Sequence, residues 1–551
     1  MTDKIWLSSY QPGIPEFIDN AGYDSLRDLI EQNLKRYGTQ PSYANLGTTL
    51  SFAEIDQLSL SFASWLQQKG LGKGDRIALM MPNILQYPIA LFGALRAGLV
   101  VVNVNPLYTQ RELKHQMTDS GAKAIVIVEN FAHTLEAVLP DTDIEFVITT
   151  KIGDMHGTAK RWLTNFAVEK VKKMVPAFSI PNATSFRDVT GTDTSGFKPP
   201  EVTLEDLAFL QYTGGTTGVA KGAMLSHGNL VYNVQQTNAW LGGRLDDDKI
   251  IGITALPLYH IFSLEGNCFG LLQQGGLNVL ITNPRDMKGF VKELSNYRFS
   301  YFTGVNTLFN GLLNTQGFAD LDFSGLRITI GGGMAVQRAV AEKWREVTGS
   351  ALIQAYGLTE TSPGAVINPF VDDAEFTGSI GLPISSTEVA ILDDDGNHLD
   401  IGEIGEICIR GPQVMQGYWQ RPEETEKVMV GDWLRTGDVG RMDDKGFVFV
   451  ADRKKDMILE TGIRVYTYKI EDVVVQLPGV VEAAAVGKEH PKSGEVVQLH
   501  VVVSDNTSAE DILAHCREQL TGYKQPREVL FHDELPKTNV GKILRRELRT
   551  G

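Results

Sequence analysis

The chain has 551 residues, of which 42% are apolar and 21% are charged, and its formal net charge is −16. This length exceeds what a single hydrophobic core supports, so several domains are expected. The acidic net charge excludes a general nucleic-acid-binding protein, because such a protein needs a basic surface. The three cysteines, Cys268, Cys408 and Cys516, are widely spaced in the sequence. This spacing favours buried free thiols in a reducing compartment over a metal site.

The N-terminal part of the chain does not predict a signal peptide or a membrane span. Its first twenty residues carry three acids and no apolar core. The most apolar window, Ile84–Val104, is interrupted by Pro88 and Arg96, and Gly98 separates a helix-like half from a β-branched half. A buried helix followed by a buried strand fits this window best, and the sequence predicts a cytoplasmic protein.

Helical and strand patterns alternate over the first 150 residues. Apolar residues with helical spacing predict helices at Leu26–Tyr37 and Ile55–Lys69. Short apolar runs predict strands at Arg76–Met80, Val100–Val104 and Ala124–Val128. Because helices that alternate with fully apolar strands are typical of a parallel sheet covered on both faces, this region predicts an α/β body.

The segment Lys151–Pro176 is basic, with six basic and two acidic residues in an otherwise acidic chain. On a helical wheel Leu163, Phe166 and Val171 share one face, and Trp162 lies at its edge. This composition fits a helix lying on an anionic membrane surface. The alternative is a solvated helix whose apolar stripe packs on the main body, and the sequence leaves both interpretations open.

The stretch Tyr212–Gly222 (YTGGTTGVAKG) follows an apolar run and is rich in glycine and threonine. Glycines let backbone N–H groups approach an anion closely, the threonine hydroxyls add donors, and Lys221 adds a positive charge. The stretch therefore predicts a loop that binds a polyphosphate, although it lacks the Gly-Lys-Ser/Thr ending of the common P-loop. The alternative is a glycine-rich surface turn.

Beyond this loop, helical and strand patterns continue to alternate. They then give way to short strand patterns separated by Gly/Asp turns, which predict a smaller antiparallel sheet. The chain ends in a segment of about a hundred residues, a length that suits a small α+β domain. The predicted elements are helices at Asn229–Trp240 and Ala339–Val347, strands at Ile250–Leu256, Asn278–Thr282, Phe299–Thr303 and Arg327–Ile330, antiparallel strands at Glu388–Leu392, Gly405–Arg410 and Phe447–Val450, and C-terminal helices or strands at Ile470–Gln476, Ala483–Val486, Val496–Val503 and Ala509–Leu520.

Two motifs in the second half offer groups for a nucleotide. Gly331-Gly332-Gly333 follows a predicted strand and leaves room for a flat ring or a close backbone approach, or forms a plain turn. The second motif is YGLTET, residues 356–361. In it, Tyr356 could stack on a base, Thr359 could bond a phosphate, and Glu360 could hold Mg²⁺. The alternative for the second motif is a helix N-terminus capped by Thr359.

Charged residues towards the C-terminus complete the candidate set. Asp438 could accept both hydroxyls of a ribose. In the run DRKKD, Arg453 could reach the ribose and Lys455 could be a pivot, although a charge run is usually a solvated face. Lys542 follows a glycine in a basic stretch that could equally be a solvated tail.

In this order the motifs resemble the adenylate-forming (AMP-binding) superfamily and, within it, the bacterial long-chain fatty acyl-CoA synthetases. The blocks YTGGTTGVAKGAMLSH, PLYHIF, ITNPRD, GVNTLFN, GGGM, YGLTET, GPQVMQGYWQRPE, GDWLRTGD, DRKKDMI and LPKTNVGKILRREL occur in the family's order over nearly the whole chain. The resemblance implies an α/β fold with a large N-terminal body of doubly wound mixed sheets and a small β-barrel-like subdomain (1–453). A small mobile α+β domain (454–551) would follow, with its hinge near Lys455.

The resemblance further implies ATP-dependent activation of a long-chain fatty acid to acyl-CoA through an acyl-AMP, with Mg²⁺ as cofactor and ATP and CoA as co-substrates. Lys542, Glu360, Thr359 and His260 are expected at the reacting centre, and Thr216 and Glu360 at the metal. The residues expected at the nucleotide are Thr213, Gly214, Gly215, Thr216, Thr217, Gly218, Val219, Ala220, Lys221, Gly222, Ala223, Met224, Gly331, Gly332, Gly333, Tyr356, Asp438 and Arg453.

The two half-reactions need different surroundings. Adenylation spreads negative charge over the α-phosphoryl group and the leaving pyrophosphate, so it needs cations such as Mg²⁺, Lys221 and Lys542. Thioester formation needs the CoA thiol near the acyl carbon instead. A rotation about Lys455 would withdraw Lys542 and admit the pantetheine arm of CoA.

One segment departs from the family. After Met457 the family usually reads close to ILVSGFNVYPNEIEDVV, whereas this chain reads ILETGIRVYTYKIEDVV. In the family this loop lines the approach of CoA, so the departure between Glu460 and Lys469 is expected to be neutral or to slow the CoA step.

The fatty-acid pocket is expected between His260–Leu264 and the sheet around Phe302–Phe309, since an apolar lining suits an alkyl tail. Three alternatives remain: a fatty acyl-AMP ligase, another acid–CoA ligase with an impaired CoA step, and a membrane-docked fatty-acid-binding component without catalysis. The sequence leaves chain-length preference and oligomeric state open, and it is compatible with an oligomer.

Overall fold

The structure is a computed structural model that describes residues 4–20, 22–213, 220–245, 249–371, 375–460, 463–490, 493–504, 506–538 and 541–549. Within these ranges the strands form four sheets, two large and two of five strands. The largest buried cluster contains residues of both large sheets and of the helices between them, including Leu79, Val101, Val234 and Leu280. The two large sheets are therefore parts of one body.

The first large sheet has seven described strands, and all of its neighbouring pairs except one are parallel. The exception is a hairpin, in which Leu207–Thr213 pairs with Lys221–Ser226. The predicted strands at Arg76–Met80 and Ala124–Val128 have the observed bounds, and the parallel arrangement is confirmed. In spatial order the strands are Thr184–Ser185, Phe146–Thr150, Ala124–Val128, Arg76–Met80, Val100–Asn103, Leu207–Thr213 and Lys221–Ser226.

The second large sheet has nine described strands with a parallel centre and antiparallel strands at both edges. Its parallel strands follow one another through helices, as the alternation in the sequence predicts. In spatial order the strands are Leu382–Pro383, Gly364–Ile367, Leu352–Gly357, Ile328–Gly331, Tyr301–Gly304, Ile251–Thr254, Leu277–Leu280, Pro41–Asn45 and Thr48–Ser51.

The two five-stranded sheets follow in the last third of the chain. The first is antiparallel, as predicted, and its described strands form no closed barrel: Glu388–Leu392, Gly405–Arg410, Trp433–Met442, Met429–Val430 and Val448–Arg453. The second belongs to the small C-terminal α+β unit and contains Ile463–Val465, Ile458–Glu460, Gly494–Val503, Val480–His490 and Glu528–Phe531. This unit has a buried cluster of its own, with Ile470, Leu499 and Ile512.

Helices cover the large sheets and the C-terminal sheet. The helix Leu26–Tyr37 has the predicted bounds, because its apolar side chains recur at helical spacing and Ser25 caps its first turn. Within the described ranges, the other α-helices of four residues or more are Phe52–Gln68, Gln86–Arg96, Gln110–Ser120, Ala132–Val138, Thr158–Phe166, Phe186–Val189, His227–Leu241, Gly270–Gln273, Met287–Leu294, Asn306–Leu313, Arg338–Thr348, Pro422–Val428, Thr467–Val474, Ala509–Gln519 and Arg545–Arg549.

The apolar window Ile84–Val104 contains a buried helix, Gln86–Arg96, and then a buried strand, Val100–Asn103, as predicted. Among the described residues, none of the helices has the length and apolar character needed to cross a bilayer.

The basic segment forms the helix Thr158–Phe166, which continues as the π-helix Ala167–Val171. Its apolar side chains are largely exposed, 64% for Trp162, 59% for Leu163 and 67% for Val171. The alternative in which this stripe packs on the main body is therefore wrong.

Candidate functional site

The candidate site lies where parallel strands of the second large sheet end. The strands Tyr301–Gly304, Ile328–Gly331 and Leu352–Gly357 run in the same direction, so their carboxyl ends share one edge of the sheet. Ligands of open α/β sheets bind in the crevice at that edge. The glycine motif and the Tyr356 motif end two of these strands, which explains why motifs distant in the sequence meet.

The C-terminal unit places Lys542 in this crevice. Lys542 N donates to Thr538 Oγ1 (3.1 Å), and Thr307 Oγ1 of the body donates to Gly541 O (3.1 Å). A Cβ atom on Gly333 would lie 3.4 Å from Lys542 Cε and 3.8 Å from its Nζ. Gly333 also has φ +75°, which glycine adopts without strain. The glycine therefore leaves room for the lysine side chain.

The Lys542 ammonium group lies among charges of both signs. Burial, followed by the positive charge of Arg453, lowers the pKa of Lys542 to about 8, whereas Asp438 and Glu360 act in the opposite direction. The side chain is therefore mostly charged at neutral pH and loses its proton in mild alkali. Such a cation is suited to stabilise negative charge that develops on a phosphoryl group.

A hydrogen bond and an ion pair join Tyr356, Asp438 and Arg453. Tyr356 Oη donates to Asp438 Oδ2 (2.6 Å), and Arg453 Nε lies 3.3 Å from Asp438 Oδ1. Strand pairing produces this arrangement, because Asp438 faces Arg453 across an antiparallel ladder. Burial raises the pKa of Asp438, while Arg453 and the Tyr356 hydroxyl oppose the rise. A buried carboxyl group held in this way is suited to bind sugar hydroxyls.

Glu360 and Lys221 meet on either side of Tyr418. Tyr418 Oη donates to Glu360 Oε1 (2.6 Å), and Lys221 Nζ lies 4.3 Å from the centroid of the Tyr418 ring, a cation–π distance. Lys221 Nζ also pairs with Glu424 Oε2 at 3.0 Å. Sequence reasoning missed Tyr418, whose only signal is its place in a family block.

Glu360 lies on a short 3₁₀ turn, Thr359–Thr361. Leu358 is the N-cap residue of this turn, and its backbone N donates to Thr361 Oγ1 (2.9 Å). The alternative in which Thr359 caps a helix is therefore wrong. Thr359 lines the apolar pocket that is described below. Among the described residues, no cluster of three or more His, Cys, Asp or Glu side chains could hold a metal. One carboxylate nevertheless fits Mg²⁺, which takes one or two carboxylates and completes its shell with phosphate oxygens and water.

The predicted phosphate loop is described only at its two ends. Thr213 ends one strand, and Ala220 precedes the strand that begins at Lys221. Gly222, Ala223 and Met224 lie in this second strand, and the backbones of Gly222 and Met224 also bond to segment 416–419. The other predicted phosphate contacts lie outside the described residues: Gly214, Gly215, Thr216, Thr217, Gly218 and Val219.

His260 lines the same crevice as a neutral side chain. Phe262 N donates to His260 Nδ1 (3.4 Å), so Nε2 carries the proton of the neutral ring. Burial, with the nearby charge of Lys542, lowers the pKa of His260 to about 3. The imidazole is therefore an uncharged hydrogen-bond donor at neutral pH.

An apolar pocket of about 920 Å³, counting its open mouth, extends from the crevice into the body. His260 and Phe262 line it as predicted, but Phe302 and Phe309 do not, because they pack on Trp344 at ring distances of 5.8 Å and 4.7 Å in a separate cluster. The pocket is lined by Tyr301, which lies on the same strand as Phe302, and by residues of the helix His227–Leu241. Its apolar lining includes Leu241, Leu245, Leu271, Ile330, Ile367 and Phe370, and its mouth includes Gly332, Gly333, Tyr356, Thr359 and Lys542.

The expected hinge lies where the body meets the C-terminal unit. Arg549 donates through its guanidinium to Lys455 O (3.3 Å) and Asp456 O (3.2 Å). On the body side, the buried Asp452 accepts a hydrogen bond from Thr467 Oγ1 (3.2 Å). Of these bonds, the one between Thr467 and Asp452 crosses to the body, whereas Lys455, Asp456 and Arg549 all lie beyond residue 453.

The atypical segment after Met457 contacts arginines of the C-terminal unit. Glu460 pairs with Arg527 at 3.3 Å, and the Arg545 guanidinium lies 4.8 Å from the centroid of the Tyr468 ring. Thr461 and Gly462 lie outside the described residues. The effect of this segment on the CoA step remains a prediction.

Comparison with known proteins matches two family models to the chain. Residues 30–419 match the family described as AMP-binding enzyme, and residues 469–542 match the AMP-binding enzyme C-terminal domain. A long-chain-fatty-acid–CoA ligase of Escherichia coli O157:H7 is 55% identical over 549 residues, which cover 99% of this chain and 98% of that protein.

Two solved structures have the same fold. The anthranilate CoA ligase AuaEII in complex with anthranoyl-AMP has a TM-score of 0.85 and 23% identity, covering 97% of this chain and 98% of its own. The ATP-bound MatB of Rhodopseudomonas palustris has a TM-score of 0.82 and 26% identity, covering 96% of this chain and 98% of its own.

Proposed function

The chain belongs to the AMP-binding enzymes, and we propose that it is a long-chain-fatty-acid–CoA ligase. The enzyme activates a long-chain fatty acid with ATP to an acyl-AMP, and then transfers the acyl group to CoA, releasing AMP. The observation that carries this proposal is the insertion of Lys542 at the mouth of an apolar pocket also lined by Gly333, Tyr356 and Thr359. A tail-binding pocket and a nucleotide-binding crevice then share one opening.

In the first half-reaction a carboxylate oxygen of the fatty acid attacks the α-phosphorus of ATP, and pyrophosphate leaves. Lys542 and Lys221 supply positive charge for the phosphoryl oxygens and for the leaving group. Thr359 bonds the α-phosphate, and His260 donates a hydrogen bond to a substrate oxygen. Since neither lysine needs to transfer a proton, their task is to hold charge at fixed positions.

The nucleoside is held by the glycine and tyrosine motifs. Gly331–Gly333 and Tyr356 bind the adenine, and Asp438 and Arg453 bind the ribose. Glu360 would hold Mg²⁺ together with phosphate oxygens. When bound, Mg²⁺ neutralises charge on the phosphates.

In the second half-reaction the CoA sulfur attacks the acyl carbon, and AMP leaves. Lys542 occupies the crevice in the described arrangement, which suits adenylation. We place the boundary between the body and the mobile domain at residues 453 and 454, with Lys455 as the hinge. Next to this boundary the Thr467 hydroxyl of the domain bonds Asp452 of the body, and a rotation about Lys455 would withdraw Lys542 and admit CoA.

The test measures pyrophosphate release and acyl-CoA formation separately, with acids from short to long chain. The proposal predicts both products with long-chain acids. Pyrophosphate without acyl-CoA would favour a fatty acyl-AMP ligase or a ligase with an impaired CoA step. Absence of ATP–pyrophosphate exchange with oleate would favour a fatty-acid-binding component without catalysis.

We further propose that the helix Thr158–Phe166 and its continuation bind an anionic membrane surface. Trp162 and Phe166 stack at 5.3 Å on the outside of the protein, where Trp162 is 64% and Phe166 45% exposed. Lys160, Arg161 and Lys172 flank this apolar surface with positive charge. Exposed aromatic side chains beside basic ones are typical of helices that lie in the headgroup region.

This association is tested by sedimentation with phosphatidylglycerol vesicles and with phosphatidylcholine vesicles. Binding is expected only to the anionic vesicles, and the double substitution Trp162→Ser with Phe166→Ser is expected to abolish it while activity on dissolved oleate persists. Arg517→Ala, a charge removal at the exposed end of another helix, serves as the matched control. Equal sedimentation of the double variant and the wild type would contradict the proposal.

A further inference from the structure

The apolar pocket contains a carboxyl group that the adenylation chemistry does not use. Glu265 is only 2% exposed and lines the pocket from the π-helix Leu264–Phe269. Turns of this kind are frequent at functional sites. Thr237 Oγ1 donates to Glu265 Oε1 at 2.7 Å, whereas Oε2 has no hydrogen-bond partner within the described part of the chain.

A second polar group of the same pocket also lacks a partner. Asn238 follows Thr237 on the helix His227–Leu241 and lines the pocket. Its Nδ2 atom is buried and has no hydrogen-bond acceptor among the described residues. A buried donor without an acceptor costs free energy, so an acceptor supplied by a ligand would be stabilised there.

The chemistry of these two groups suits an uncharged partner that both donates and accepts. Burial raises the pKa of Glu265 to about 8, so the carboxyl group is protonated at neutral pH and does not repel an alkyl tail. A protonated carboxyl donates through its O–H and also accepts, while the Asn238 amide donates. A hydroxyl group on the acyl chain can donate to and accept from such groups, and Thr237, the residue before Asn238, already bonds Glu265.

We propose that Glu265 and Asn238 form a polar subsite that recognises a hydroxyl group on the fatty-acyl chain. Hydroxylated long-chain fatty acids are then a preferred substrate class of the enzyme. The surrounding apolar side chains, including Leu241, Leu271 and Phe370, bind the rest of the chain. This inference rests on the proposed function, because it assigns the pocket to the acyl group of the ligase reaction.

The experiment compares kcat/KM for each hydroxylated acid with that for its unsubstituted parent, using ricinoleate with oleate and α-, β- and ω-hydroxypalmitate with palmitate. For at least one pair, the hydroxyl-to-parent ratio is expected to fall about tenfold in Glu265→Leu and in Asn238→Leu. Glu265→Gln keeps a donor and an acceptor and is expected to retain the ratio. Leu271→Met, an apolar change in the same pocket, is the matched control and is also expected to retain it.

Each ratio is measured within one protein, so a general loss of folding or of adenylation cancels. Ratios that are the same in wild type, Glu265→Leu and Asn238→Leu for every pair would overturn the subsite, even if oleate is activated normally. A wild type that fails to activate oleate or palmitate at all would instead refute the proposed function. If Glu265→Leu does not fold, the comparison of Asn238→Leu with Glu265→Gln decides the question alone.

Discussion

Removing the charge of Lys542 separates the two half-reactions. In Lys542→Ala, adenylation is expected to fall by about two to three orders of magnitude, the usual effect of losing one preorganised electrostatic group. Thioester formation from supplied acyl-AMP is expected to persist, because the proposed rotation withdraws Lys542 from the crevice for that step. Lys524→Ala, a charge removal elsewhere on the C-terminal unit, is the matched control and is expected to retain both activities.

The pH dependence gives a second, quantitative test of the same residue. With the pKa of Lys542 at about 8, the cationic fraction in the free enzyme is about 90% at pH 7 and about 10% at pH 9. The kcat/KM of adenylation for ATP is therefore expected to fall about tenfold per pH unit above pH 8. In Lys542→Arg this alkaline decline is expected to disappear, since a guanidinium keeps its charge.

The pKa of Glu265 is also about 8, so the profile is measured in a Glu265→Gln background, which removes this second titration from the pocket. The assays are pyrophosphate release from oleate and ATP, and CoA thioester formation from oleoyl-AMP. Equal loss of both half-reactions in Lys542→Ala, or an unchanged alkaline decline in Lys542→Arg, would refute the assigned role.

Three further predictions follow from individual contacts. Gly541→Ala is expected to slow pyrophosphate release about tenfold without slowing thioester formation, because Gly541 has φ +82° and a Cβ would lie 2.7 Å from Thr307 Oγ1; equal slowing of both steps would contradict this. Tyr356→Phe is expected to weaken ATP binding about tenfold, since a buried bond to Asp438 is lost, and unchanged affinity in calorimetry would contradict it. Glu265→Gln is expected to raise the free energy of unfolding relative to the wild type, by about 1.4 kcal/mol more for each pH unit between pH 4.5 and about 8. The reason is that the wild-type carboxyl group keeps a proton in the folded state that the unfolded chain loses. Thermal unfolding at pH 5 and pH 7.5 measures this difference, and an equal effect at both pH values would contradict the prediction.

The sequence by itself determined the architecture and the family. The helix Leu26–Tyr37 and the strands Arg76–Met80 and Ala124–Val128 have their predicted bounds, because hydrophobic periodicity is a local property that burial then enforces. The ordered motifs identified an adenylate-forming enzyme, because the spacing of phosphate-, ribose- and metal-binding groups along a chain reflects the order of the strands that present them.

Only the tertiary structure decided which side chains meet. Tyr418 lies between Lys221 and Glu360, and Lys542 approaches Gly333, through contacts between residues far apart in the chain. The sequence identified a strand that lines the pocket but not the side chain, which is Tyr301 and not Phe302, because a strand apolar on both faces carries no sign of which face borders a cavity. Glu265, a single acid within an apolar run, acquires its raised pKa and its place in the pocket only when the neighbouring helix covers it and removes water.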